Sequence, residues 1–101
     1  MKALLIGAFY FNMKELQTEF IGRGQVKGFI FTLQNKSELA YIFKVDTGSS
    51  IHYEVFKRKE NKQFNCISYP SDKAFGFWAW SCSTLERAND IFEQLNSGER
   101  V

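Results

Sequence analysis

Proline is almost missing from this chain, with one in 101 residues, and histidine is equally scarce. Little proline leaves most of the backbone free to enter hydrogen-bonded ladders. A lone histidine, His52, excludes a zinc site built from a Cys/His cluster. The two cysteines, Cys66 and Cys82, are too few for a disulfide framework and form no Cys-x-x-Cys pair. Reduced thiols in a cytoplasmic protein are expected, with no metal or cofactor. Charge of one sign is also lacking. Thirteen Lys and Arg face eleven Asp and Glu, a net charge of +2, far from the balance of a dedicated nucleic-acid binder. No apolar run reaches the roughly 20 residues of a membrane helix.

What is present is apolar and aromatic. Apolar residues make up 45% of the chain and aromatics 17%, including 11 Phe, too many for a disordered polypeptide. The length fits a single domain spanning 1–101, able to hide well over half of its unfolded surface. Residues 2–11 (KALLIGAFYF) are nearly all apolar. They read as a buried strand or covering segment. A basic start gives them a weak likeness to a signal peptide, without its cleavage site. Met13 is an alternative start, which makes 1–12 an extension.

Between residues 25 and 82, β-branched and aromatic runs alternate with turn residues. The expected strands are 25–33, 39–46, 51–58, 64–69 and 75–82, joined by connections short enough for hairpins. Residues 13–20 are ambiguous between a helix and an extended lead-in. Ser83-Thr84-Leu85-Glu86 fits a capping box with Ser83 as N-cap. Leu85, Ala88, Ile91, Phe92 and Leu95 fall on one helical stripe, giving a helix over 84–96 that stops before Gly98. The expected fold class is α+β: an antiparallel β-meander of five strands, with room for a sixth at the N-terminus, and one C-terminal helix packed on one face.

Turn geometry sets the expected register. Glu60 and Asn61 at a hairpin tip pair Val55 with Cys66 and Tyr53 with Ser68. The next hairpin sets Cys66 opposite Trp78 and Phe64 opposite Trp80. A three-residue turn at 47–49 pairs Phe43 with Tyr53 and Tyr41 with Val55. The helix-side face then collects Leu39, Tyr41, Phe43, Val45, Ile51, Tyr53, Val55, Phe64, Cys66, Trp78 and Trp80. Cys82 aligns near Lys62, too far along the strand from Cys66 for a disulfide. The other face carries His52, Glu54, Phe56, Arg58, Asn65, Ile67, Tyr69, Phe77 and Ile42. It mixes polar with large apolar groups, so something must cover it. The candidates are the 4–11 segment, a second copy of the chain, or a ligand.

His52, Glu54 and Arg58 recur at even spacing on that face, with Tyr69 and Phe77 nearby. A histidine beside a carboxylate can act as a general base, and an arginine can hold an anion. An ordinary solvated row with weak ion pairs competes with that reading. These five residues are the candidate ligand site; no catalytic residue is assigned. Cys66 and Cys82 read as inert core thiols. Thr47-Gly48-Ser49-Ser50 lacks the lysine and helix of a phosphate loop and reads as a hairpin turn. Lys57, Arg58, Lys59 and Lys62 cluster near one tip and could bind single-stranded nucleic acid beside exposed rings. Charged tips also protect sheet edges from aggregation. Strands followed by one helix resemble the layout of PC4-type single-strand DNA-binding domains, which dimerise; the resemblance shares no motif. The leading functional expectation is a small non-enzymatic binding or interaction module, self-associating as a homodimer through its second face. The alternatives are a single-strand nucleic-acid binder, and a small enzyme or anionic-ligand binder using His52, Glu54 and Arg58.

Overall fold

A computed structural model describes residues 13–100; the apolar run at 2–11, with the roles considered for it, lies outside them. The strands are β1 (Glu19–Ile21), β2 (Ile30–Lys36), β3 (Ala40–Asp46), β4 (Ile51–Lys57), β5 (Glu60–Asn61), β6 (Cys66–Ile67) and β7 (Ala79–Cys82), followed by helix α1 (Leu85–Ser97). Five of them form one antiparallel sheet in the order β1-β2-β3-β4-β7, and β5 and β6 form a separate two-stranded ribbon. The helix packs on one sheet face, so the fold is α+β.

The β3–β4 hairpin differs from expectation by one residue. Asp46 pairs with Ile51, leaving the four residues 47–50 as the loop. Thr47 N–H donates to the Ser50 carbonyl at 3.0 Å, Asp46 Oδ1 accepts from Gly48 N–H, and Gly48 takes a φ of 93° that suits glycine. The extra residue turns over the whole strand, because side chains alternate with a period of two. Tyr41, Phe43 and Val45 therefore join His52, Glu54 and Phe56 on the face away from the helix. Ile42 moves the opposite way and is buried beneath α1 with Ala40, Val55 and Cys82.

The connection from β4 to β7 is the second departure. β4 pairs directly with β7, with Val55 opposite Trp80 and Tyr53 opposite Cys82. The expected ladders of Cys66 with Val55 and Trp78, and of Phe64 with Trp80, are absent. Residues 58–78 instead leave the sheet. Glu60 and Asn61 are strand rather than tip, and the turn falls at 62–65. Asn61 Oδ1 accepts from Phe64 N–H, and Asn65 adopts a φ of 55°, a conformation asparagine tolerates. Phe64 is consequently 69% exposed, and Cys66 and Trp78 do not lie under the helix.

This excursion covers the second sheet face. Ile67, Tyr69, Ala74, Phe75 and Trp78 pack on Phe31, Tyr41, Phe43 and Phe56, and Met13 and Leu16 of the lead-in join them. The lead-in is tied down by Lys14, whose N–H donates to Asn65 and whose carbonyl accepts from Ile67 N–H. Large side chains buried in this way contribute about 1.5–3 kcal/mol each. The apolar part of the face is thus covered from within the chain. An exposed apolar row remains on the other face, beyond the helix: Ile21, Ile30 and Ile51, at 67%, 43% and 48% exposure.

Helix α1 starts one residue later than expected. Thr84, not Ser83, is the N-cap, and its hydroxyl accepts from Arg87 N–H at 3.1 Å. Ala88, Ile91, Phe92 and Leu95 are buried, while Leu85 is 37% exposed at the first turn.

Candidate functional site

A cleft of about 1200 Å³ opens beside β1 and β2. Its rim is a turn that Gly22 and Gly24 signal in the sequence, though it runs further into the chain than the expected strand bounds allow. The expected strand 25–33 begins only at Ile30, because residues 24–26 form a 3-10 turn. Gly22 makes that turn feasible: a Cβ there would stand 2.3 Å from the Val26 carbonyl oxygen. The opposite rim is the segment after Tyr69, containing Pro70 and the 3-10 turn Asp72–Ala74. Phe20, Phe29, Phe31 and Phe75 supply aromatic wall between the rims.

The polar floor is His52, Glu54 and Tyr69. His52 and Glu54 are two apart on β4, so the pleat sends both to the same face. Tyr69 arrives from the excursion, held by edge-on contacts with Phe20, Phe31, Phe43 and Phe56 at centroid distances of 4.8–5.6 Å. Its hydroxyl donates to Glu54 Oε1 at 2.7 Å, and His52 Nε2 lies 3.0 Å from Glu54 Oε2. An ionised carboxylate only accepts. Glu54 therefore selects the His52 form with a proton on Nε2, and in the neutral ring the lone pair is left on Nδ1. Burial raises the Tyr69 phenol pKa, and the Glu54 charge and hydrogen bond add to it. Tyr69 thus remains a donor at neutral pH.

Three of the five candidate ligand residues meet in this cleft. Arg58 does not, because it stands four residues along from Glu54, beyond Phe56, with its N–H on the Leu39 carbonyl. Its guanidinium bonds to Glu15 and, at 3.2 Å, to Glu60. Glu15 also accepts from the Tyr41 hydroxyl. Phe77 sits in the turn before β7 and is 74% exposed. Phe75, two residues earlier, takes the wall position instead.

The four basic residues occupy the end of β4 and the ribbon that follows it. Lys57 ends β4, Lys59 Nζ lies 5.3 Å from the Trp78 ring centroid, and Lys62 is exposed in the 62–65 turn. The rings of the neighbouring sheet face stack on one another, Phe43 on Phe56 and Tyr41 on Phe56, and are buried, which removes them as platforms for bases. Among the described residues, no group of three or more His, Cys, Asp or Glu is placed to hold a metal ion. No helix among them is long and apolar enough to cross a membrane.

Comparison with family models, curated proteins and solved structures finds no match to the chain.

Proposed function

We propose that the protein is a small-molecule-binding module whose ligand enters the cleft beside β1 and β2 and is oriented by His52, Glu54 and Tyr69. One observation carries the reading. Glu54 receives two hydrogen bonds at the base of an otherwise largely apolar concavity, so its position is fixed before any ligand arrives. Ligand sites typically combine an apolar concavity with a few fixed polar groups. Such preorganisation lowers the ordering cost of binding. The free thiols of Cys66 and Cys82 support a reducing, cytoplasmic setting.

The test is a thermal-unfolding screen of the full chain against a library of small cations, anions and neutral aromatics, with Glu54→Gln in parallel. A ligand present at a hundred times its Kd stabilises by about 2.7 kcal/mol, a readily measured shift for a domain of this size. We expect hits whose shift shrinks in Glu54→Gln. A library that leaves wild type unshifted, or hits indifferent to Glu54→Gln, would overturn the reading.

A further inference from the structure

We infer that the cleft selects an amphipathic organic amine, a ligand with an aromatic body and a protonated nitrogen; this rests on the binding reading above. The chain as a whole is net positive, yet among the described residues the cleft is lined by three carboxylates, Glu19, Glu54 and Asp72, against one guanidinium, Arg23. Arg58, the cation best suited by sequence to hold an anion, lies outside and is neutralised by Glu15 and Glu60.

Glu54 is the anchor. Its side chain is only 15% exposed, so its charge is screened less than the exposed carboxylates of Glu19 and Asp72. A carboxylate offers about four lone-pair sites, and Tyr69 and His52 occupy two. The remainder can accept N–H donors from a ligand, and such charge-assisted bonds are the stronger kind. An incoming carboxylate would instead meet Glu54 with no proton between the two groups. The body of the ligand lies against Phe20, Phe29 and Phe75, with Phe31, buried and stacked on Phe20, backing the wall; aromatic ring faces also attract a cation.

Tryptamine, tryptophol and indole-3-propionate share one ring system and differ in charge. Calorimetric titration of each into the full chain, at low and high salt, reads the preference directly. We expect tryptamine to bind about tenfold more tightly than the acid, with Glu54→Gln removing most of that margin. Raised salt should weaken the amine and leave tryptophol unchanged. Asp72→Asn, an exposed rim change that leaves the core intact, should weaken tryptamine by about twofold. Glu38→Gln, remote from the cleft, should change nothing. Binding of indole-3-propionate or tryptophol as tight as tryptamine overturns the amine inference and leaves the cleft reading standing. Tryptamine binding insensitive to both Glu54→Gln and Asp72→Asn overturns the amine inference. Failure of all three probes to bind overturns it too, and the cleft reading falls only if the broader screen is also empty.

Discussion

The Tyr69 hydroxyl donates a 2.7 Å hydrogen bond to Glu54 Oε1, joining the excursion over the sheet to the strand that it covers. The bond does two jobs: it fixes the carboxylate at the base of the cleft and docks residues 58–78 onto β4. Tyr69→Phe keeps the four ring contacts and deletes only the donor. We expect a loss of about 1.5–3 kcal/mol, the range for bonds to charged groups. Tyr69→Ala also removes the ring and should cost about 3–5 kcal/mol. Urea unfolding of both variants checks the order. Equal stability of Tyr69→Phe and wild type would show that the bond only offsets desolvation.

Tyr41 and Tyr69 both resist ionisation. Burial is the main cause in each, reinforced by Glu15 beside Tyr41, whose phenol is pushed up to about 12. A raised pKa in the folded state means that the unfolded chain loses its proton first. The associated stability is intact below the ordinary phenol pKa near 10 and is lost as pH rises towards the folded value. The slope is about 1.4 kcal/mol per pH unit for each group in that window. We expect phenolate absorbance from these two tyrosines to appear together with unfolding. Tyr41→Phe should flatten part of the alkaline stability loss. Phenolate signal from both in a still-folded chain would contradict this.

Sheet, helix and half of the candidate site were legible because each rests on a strong local period. Ala88, Ile91, Phe92 and Leu95 mark the helix, and the two-residue spacing of His52 and Glu54 places them together. The misread parts depend on loop length, which residue type constrains weakly. Thr47-Gly48-Ser49-Ser50 suits a three- or a four-residue turn, and that single residue decides the face of Tyr41, Phe43 and Val45. Residues 64–69 alternate as a strand should, but only Cys66 and Ile67 pair. Asn61 and Asn65 carried the missed signal, since asparagine both caps turns and accepts a positive φ. The cleft walls were hidden for a related reason. Arg23, Phe29 and Asp72 lie in or beside 3-10 turns, where neither helical nor strand periodicity applies.

Glu15 gathers Arg58 and the Tyr41 hydroxyl. The Arg58 hydrogen bond holds its carboxyl below the usual range, against the opposing effect of burial, and Tyr41 assists. A lowered folded pKa gives stability that is present above the unfolded carboxylate pKa, near 4.3, and is lost as pH falls through the folded value. Glu15 is 40% exposed in its side chain, so solvent screening limits the pair to about 0.5–1 kcal/mol. Glu15→Gln should lose that amount at pH 7 and match wild type in strong acid. A gap that persists unchanged at low pH would assign the loss to packing instead.

The N-cap of α1 offers a choice between adjacent hydroxyls. Thr84 accepts from Arg87 N–H, and its φ of −129° and ψ of 151° are extended, as a cap requires. Thr84→Ala should therefore cost about 1 kcal/mol. Ser83→Ala should stay within about 0.5 kcal/mol, as for a surface change. Denaturant midpoints of the two variants decide the matter. The reverse order would restore the Ser83 capping box that the sequence suggests.

Cys66 and Cys82 lie in different packing environments, which makes their reactivity a reporter of the fold. Cys82 is 5% exposed under α1, with Ala88, Ile91 and Leu95 in the same cluster. Burial pushes its thiol pKa up, against the charges of Arg87 and Arg100. Thiolate is the reactive form, so both access and ionisation oppose attack on Cys82. Cys66 is half-buried in the β5–β6 ribbon, outside the helix-side cluster. A neutral thiol reagent should modify Cys66 first in native protein. Labelling of Cys82 should proceed at the rate of helix undocking and accelerate with mild denaturant. Cys66→Ser and Cys82→Ser isolate the two rates. Equal rates without denaturant would mean that α1 does not cover β7 in solution.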